Sequence, residues 1–292
     1  MEYTIKNEFY SMTIDTCGAE MTSLKDASGF EHMWQNKPDF WNRHAPLLFP
    51  VCGKLKDAKY TYHQKEYEMQ GHGFIGKCEF NLVKCADGHI VMEFSANDET
   101  KKIYPFDFTV TAHYALCGNT VDFSFTVKND GEEMLPYMFG WHPAFSLSEE
   151  NGADIENYKL TFAGHDKLSW QPLQNGPFVR PDAEDYPLTD EAYRLSEKEI
   201  YENDTMIFTG HDNALVMTND LNSYKLNIRW SENLPALCIW KWPDNAAKYI
   251  CIEPWSSTPA DGIIDENFET RKMARLAPGK TEVYSDSFEV KA

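Results

Sequence analysis

The stretch Thr120-Val121-Asp122-Phe123-Ser124-Phe125-Thr126-Val127-Lys128 is apolar at every second residue. Val121, Phe123, Phe125 and Val127 alternate with Thr120, Asp122, Ser124 and Thr126. Successive strand side chains point to opposite faces, so this pattern predicts a strand with one buried and one solvated face. Asn129-Asp130-Gly131-Glu132 follows and supplies a turn.

Further strands of the same kind lie on either side. Upstream, Phe80 to Val83, Ile90 to Ser95 and Asp107 to Ala115 read as strands, with Ala86-Asp87-Gly88 turning between the first two. Tyr60-Thr61-Tyr62 and Glu66-Tyr67-Glu68-Met69 flank a tight polar loop at His63-Gln64-Lys65, which predicts a hairpin. Tyr3-Thr4-Ile5 and Ser11-Met12-Thr13-Ile14 alternate near the start. Downstream, Ala214 to Met217, Tyr224 to Trp230, Ala236 to Trp240, Tyr249 to Ile252 and Val283 to Val290 continue the series. Between them, Ser148 to Asn203 is acidic and rich in Pro, Gly and Asn, with Asn175-Gly176-Pro177 and Arg180-Pro181-Asp182 as turn signals. It is expected to be long loops with one or two strands near Tyr158 to Phe162 and a short helix from Thr189 to Tyr201. Trp170, Phe178, Tyr186 and Tyr193 anchor it, so it is not a linker. Short strands over nearly the whole chain predict an all-β antiparallel sandwich, one domain over 1–292.

Composition agrees. The chain has 292 residues, 42% hydrophobic, with 8 Trp, 15 Tyr and 18 Phe, which is enough for a sizeable core and favours strands. Net charge is −19, so the surface repels phosphate backbones and anionic lipid heads. Nucleic-acid and membrane partners are not expected, and a neutral small molecule is the easier ligand. The start, MEYTIKNEFY, lacks the basic and apolar regions of a signal peptide, and apolar stretches such as Ala45 to Cys52 are too short to span a bilayer. The 7 Cys are odd in number and form no C-x-x-C pair, which predicts free thiols in a reducing cytoplasm.

Four places put proton-carrying groups among apolar neighbours, where they need partners or a task. In Gly71-His72-Gly73-Phe74, two glycines leave room for a ligand beside the imidazole, or for a turn in which it bonds a carbonyl. In Phe139-Gly140-Trp141-His142-Pro143-Ala144-Phe145, His142 is either a general acid or a core histidine held by one backbone bond. In Cys251-Ile252-Glu253-Pro254-Trp255, burial would make Glu253 a better base. Pro254 is expected to end pairing there and leave the carboxylate at a sheet edge or bend, and the plain alternative is an edge Glu facing solvent. Trp255 adds a flat apolar face of the kind that sugar rings stack on. Asp204 precedes the strand Met206-Ile207-Phe208, a position more often taken by an ordinary loop or turn residue. Arg43 and Lys54 bracket Ala45-Pro46-Leu47-Leu48-Phe49-Pro50 and either reach a ligand hydroxyl or flank a buried strand. No nucleotide or metal signature is present, and the 9 His are scattered, so neither a cofactor nor a metal is expected.

Taken in order, Arg43 to Leu55, Gln70-Gly71-His72-Gly73-Phe74, Tyr104-Pro105-Phe106-Asp107-Phe108, Gly140 to Phe145 and Cys251 to Trp255 resemble the aldose 1-epimerase (galactose mutarotase-like) family, in its LacX-like branch. The resemblance covers essentially the whole chain and rests on the joint order of short motifs. It implies a large antiparallel sandwich, or supersandwich, with the site on a concave face. It also implies roles. Glu253 is the base that takes the anomeric hydroxyl proton, and His142 is the acid that protonates the ring oxygen. His72 is a second site histidine that holds the sugar and the developing charge, Phe74 is a substrate-binding residue, and Asp204 binds hydroxyls. Two departures stand out. Lys54 occupies the family's usual Arg position and cannot give a planar two-pronged contact, which passes part of that role to Arg43. Trp141 is larger than the small residue often found before the histidine, which is expected to narrow the pocket.

The implied reaction interconverts the α and β anomers of an aldohexose. A base removes the O1 proton, an acid protonates O5, the C1–O5 bond breaks, and closure after rotation about C1–C2 reverses the transfers. Competing readings are a hexose-6-phosphate epimerase, a glycoside hydrolase, which needs two carboxylates where only Glu253 is evident, and a sugar-binding or sensing protein without catalysis. A monomer or a homodimer paired through an edge strand fits equally.

Overall fold

The computed structural model describes residues 1–37, 39–147, 154–174, 178–180, 182–244, 246–258 and 266–291. The strand over Thr120–Asn129 forms as its alternation requires, with Val121, Phe123, Phe125 and Val127 buried. It sits inside a nine-stranded antiparallel sheet between Phe108–Cys117 and Thr281–Lys291. A second antiparallel sheet, of eight strands, contains Met206–Thr209, Ala236–Trp240 and Tyr249–Trp255 in neighbouring positions. The two sheets meet through aromatic side chains. Phe125 stacks on Phe139 at 4.3 Å, and Trp141 lies between Phe123 at 5.2 Å and Phe288 at 5.8 Å. A three-stranded sheet of Glu2–Lys6, Tyr10–Asp15 and Glu20–Asp26 completes the larger layers. The fold is therefore the expected all-β antiparallel sandwich.

The hairpin at Lys59–Tyr62 and Lys65–Glu68 turns on His63 and Gln64, both at positive φ, 48° and 62°. That is the two-residue geometry whose twist matches paired strands. The acidic stretch carries more strand than expected. Among the described residues it holds Tyr158–Thr161, Lys167–Trp170, Leu173–Gln174, Phe178–Val179, Glu184–Pro187 and Ala192–Arg194. Tyr158–Thr161 and Lys167–Trp170 widen the two large sheets, and Ala192–Arg194 and Glu184–Pro187 are their outermost strands, where polar side chains are kept. The helix is shorter than expected, Glu197–Asn203, with Ser196 Oγ accepting from the Glu199 N–H at its start. Asp190 and Glu191 at positive φ make a turn between Thr189 and Ala192 where the helix was placed. The turn Asn175-Gly176-Pro177, Pro181, and residues 148–153 of this stretch lie outside the described residues.

Tyr249–Trp255 is buried along its whole length, and its two faces do different work. Ile250 and Ile252 enter the core between the sheets. Tyr249, Cys251, Glu253 and Trp255 point the other way. Pro254 does not end this strand or put it at an edge. The strand is central, paired with Ala236–Trp240 on one side and with Gly140–Trp141 and Ala144–Ser146 on the other. The N–H of Ile252 donates to Pro143 O at 3.3 Å and that of Ser256 to Phe139 O at 2.8 Å. Pro254, midway, lacks its N–H where the neighbouring chain breaks its ladder at His142-Pro143.

One core group is unrelated to that face. Asp286 is buried opposite Phe123 and Trp230, and neither carboxyl oxygen has a protein partner among the described residues. Burial pushes its pKa well above 3.8. The folded chain therefore holds this proton to higher pH than the unfolded chain, so its contribution falls as pH climbs from about 4 through the folded-state pKa. Asp286→Asn, which cannot ionise, is expected to raise Tm relative to wild type by more at pH 8 than at pH 5. A difference in Tm that stays flat over that range would mean that Asp286 does not ionise against burial.

Candidate active site

The motifs singled out above are joined by backbone hydrogen bonds. Leu47–Leu48 pairs with Gly140–Trp141. The His142 N–H donates to Pro46 O at 3.0 Å and that of Ala144 to His44 O at 2.9 Å. The His72 N–H donates to Gly53 O at 2.8 Å, and Phe74 N–H to Phe49 O at 3.0 Å. These contacts gather His72, His142 and Glu253 around one cavity of about 350 Å³ on the outer face of the eight-stranded sheet.

Glu253 forms its floor, 1% exposed, on the face it shares with Trp255. Its cross-strand partner is Cys238, and Ile207 stands one strand further on. His142 Nε2 lies 3.2 Å from Glu253 Oε1. Trp41 stacks on the His142 ring at 4.7 Å, and Trp240 meets it edge-on at 5.6 Å. Burial, above all, pushes the Glu253 carboxyl well up, with Trp255 opposing in part, and pushes the His142 imidazole well down, helped by His72. Both shifts have the same consequence. The uncharged pair, carboxylic acid with neutral imidazole, is favoured over carboxylate with imidazolium, and the pair carries the same protons in either form.

His72 faces His142 across 5.5 Å and Trp255 across 5.9 Å. It sits at φ 63°, between Gly71 and Gly73. The Gly53 N–H donates to its Nδ1 at 3.3 Å, which places the ring proton on Nε2. Burial and then Lys54 and Arg43 lower its pKa to about 4. At neutral pH His72 is thus an uncharged hydrogen-bond donor, not a source of protons.

The remaining candidates line the same cavity: Arg43, Lys54, Phe74, Asp204 and Trp255. Arg43 is fixed from below, with Nε and Nη2 donating to Glu20 Oε2 at 2.9 and 2.6 Å and Nη2 also to Gly76 O at 2.9 Å. Asp204 caps the helix Glu197–Asn203 at φ 62°. Lys241, 4% exposed, holds that helix to the cavity wall through Glu197 at 2.7 Å. Trp141 does not narrow the pocket. Its side chain lies in the core between the sheets, because a strand that faces Gly140 to the cavity turns the next residue away. A Cβ on Gly140 would come within 2.6 Å of Trp255 Cδ1 and 2.9 Å of Cys52 Sγ, so the glycine makes room for the sugar-stacking candidate.

The aldose 1-epimerase family profile matches residues 1–289. This chain belongs to the aldose 1-epimerase family. It is 28% identical to the plasmid-borne protein LacX of Lactococcus lactis subsp. lactis, over 96% of this chain and 97% of LacX. Its fold matches a galactose mutarotase related enzyme from Lactobacillus acidophilus with TM-score 0.92 and 30% identity, over 100% of this chain and 98% of the other. A galactose mutarotase-like protein from Lactobacillus casei follows, with TM-score 0.91 and 25% identity over 100% of both chains.

Sequence reasoning on this family member missed Trp41, Trp240 and Trp242, which wall the cavity with Trp255. Trp240 and Trp242 are two residues apart at the end of a strand, so both emerge on the Glu253 face. That spacing was the available signal. It also missed that Cys251, Glu253 and His142 bring a sulfur, an oxygen and a nitrogen within 4.8 Å of one another, a convergence invisible in scattered histidines. Among the described residues no helix is long and apolar enough to cross a membrane.

Proposed function

We propose that the protein is an aldose 1-epimerase that opens and recloses the ring of an aldohexose with Glu253 and His142 as its proton-transfer pair. The observation that carries this reading is the buried 3.2 Å contact between His142 Nε2 and Glu253 Oε1 at the floor of a tryptophan-walled cavity, with the neutral His72 opposite. From the less favoured charged form of the pair, reached by internal proton transfer, Glu253 as carboxylate takes the O1 proton while His142 as imidazolium gives its proton to O5, and the C1–O5 bond breaks. The pair passes from its charged to its uncharged form in that step, the direction burial favours. After rotation about C1–C2, closure on the other carbonyl face returns both protons. His72 Nε2–H donates to a sugar oxygen throughout. Trp255 and its neighbours offer the ring a flat apolar face. The test is polarimetry of freshly dissolved α-glucose and α-galactose. A faster approach to anomeric equilibrium with the protein is expected, and no change for any common aldose or its 6-phosphate would leave a sugar-binding protein without catalysis.

A second reading concerns the substrate's charge. Lys54 and Lys77 line the cavity without an ion-pair partner among the described residues, outnumbering Asp204 there, while Arg43 is already paired with Glu20. This favours an aldose that carries an anionic group, such as a 6-phosphate, over its free counterpart. Lys54→Ala with Lys77→Ala is then expected to raise KM for the 6-phosphate roughly tenfold and leave that for the free sugar near wild type. Equal effects on both sugars would remove the charge preference.

A further inference from the structure

The thiol beneath the acid–base pair has no task in the proposed reaction. Cys251 lies two residues before Glu253 on the same face of a central strand, so its side chain stands next to the carboxylate. A ring nitrogen of His142, Cys251 Sγ and a Glu253 oxygen all lie within 4.8 Å of one another, and the three residues are buried. Glu253 Oε2 and His142 Nδ1 have no protein partner among the described residues.

We propose that His142, Cys251 and Glu253 form a binding site for a thiophilic divalent cation, such as Zn²⁺, whose occupancy shuts down the acid–base pair. Imidazole, thiolate and carboxylate are the donors such a cation takes, and three protein ligands with an open fourth position make a familiar zinc arrangement. The sulfur selects against Mg²⁺ and Ca²⁺, which prefer all-oxygen sites. Bond lengths of about 2.0–2.3 Å put tetrahedral ligand atoms about 3.3–3.8 Å apart, so the three side chains need to close by about 1 Å. The chemistry balances. The thiol and the pair each release one proton to solvent, and the dication meets one thiolate and one carboxylate, which leaves the buried site without net charge. The fourth position faces the cavity, where the sugar's O1 and O5 would lie, so cation and sugar compete. The inhibitory consequence rests on the epimerase reading, while the binding site does not.

The experiment adds Co²⁺ to the purified protein and records its absorption, alongside polarimetry with and without Zn²⁺. One tetrahedral Co²⁺ per chain with a thiolate-to-cobalt charge-transfer band is expected in wild type. Loss of a partner one shell further out typically costs about 10- to 100-fold in metal affinity, so Cys251→Ser is expected to abolish the band and to weaken Zn²⁺ inhibition by at least that factor. Cys251→Ala repeats the test should the serine disturb folding, with circular dichroism as the check. The exposed Cys17 and Cys117 and the His89–His113 pair, 2.9 Å apart, are the competing sites for adventitious metal. Binding there survives removal of Cys251. A charge-transfer band that persists in both variants, or its absence from wild type, overturns the proposal. If the protein proves to have no epimerase activity, the cobalt band still decides whether the site exists.

Discussion

Glu253→Gln is expected to slow catalysed mutarotation by roughly 10²- to 10⁴-fold, the range for loss of one positioned proton-transfer group, while sugar affinity stays within a few-fold of wild type. The two side chains are isosteric, so the floor beneath Trp255 and the 3.2 Å approach to His142 can persist. What changes is chemistry. An amide cannot take the O1 proton, and it cannot alternate between the two forms that the pair needs. His142 is then left without the anion that would stabilise its imidazolium, so its own proton transfer fails too. For this reason His142→Gln combined with Glu253→Gln is expected to cost little more than either change alone, as for groups that act as a unit. Trp41, Trp240, Trp242 and Trp255 line the cavity, so their fluorescence reads sugar binding independently of turnover. A loss of affinity as large as the loss of rate would make Glu253 a binding residue. An unchanged rate would remove it from the chemistry altogether.

How much of this was legible beforehand depended on whether one-dimensional pattern carries the relevant physics. Thr120–Asn129 was readable because one of its faces meets the core and the other meets solvent, which is the condition for clean alternation. Tyr249–Trp255 was readable as a strand but not as a central one. Both of its faces are buried, so it shows no alternation, and Pro254 argues for an edge unless the break at His142-Pro143 beside it is known. The edge strand Glu184–Pro187 and its neighbour Lys167–Trp170 were hidden by their polar side chains, one pair of which, Lys167 and Asp185, forms an ion pair at 2.7 Å. The site divides in the same way. His72, His142 and Glu253 each sit in a sequence context unusual enough to mark them. Trp41 and Cys251 do not, because what matters about them is which neighbour the fold places within reach: the His142 ring for the first, the Glu253 carboxylate for the second. The orientation of Trp141 needed the register. Only the pairing of Gly140 with Trp255 shows that the residue after Gly140 turns into the core.

Gly73→Ala is the structural change expected to cost most. Gly73 has φ 72°, a conformation that a side chain disfavours by roughly 1–2 kcal/mol. A Cβ there would also lie 2.1 Å from Phe49 O and 2.5 Å from Phe49 C, and both are backbone atoms that no rotamer change can move. The segment must therefore shift away from Phe49, whose carbonyl accepts the N–H groups of Phe74 at 3.0 Å and Ile75 at 3.3 Å. These are the hydrogen bonds that dock the His72 loop against the strand next to Gly140–Trp141. Strain and lost hydrogen bonds together place the destabilisation at roughly 3–4 kcal/mol, near the upper end for single substitutions. That corresponds to a fall in Tm of very roughly 6–15 °C for a chain of this size. Activity in the surviving folded fraction is expected to fall as well. His72 is adjacent, already at positive φ, and its ring is set by a 3.3 Å contact from the Gly53 N–H that does not tolerate a displacement of an ångström. Gly71→Ala provides the contrast. Its Cβ would meet Lys54 Cγ at 3.1 Å and Gly53 O at 3.5 Å, and a flexible lysine can yield. Thermal unfolding and polarimetry on the two variants separate the cases. Similar small losses for both would show that the close approach to Phe49 does not hold His72 in place, and that the histidine is positioned by the Gly53 contact alone.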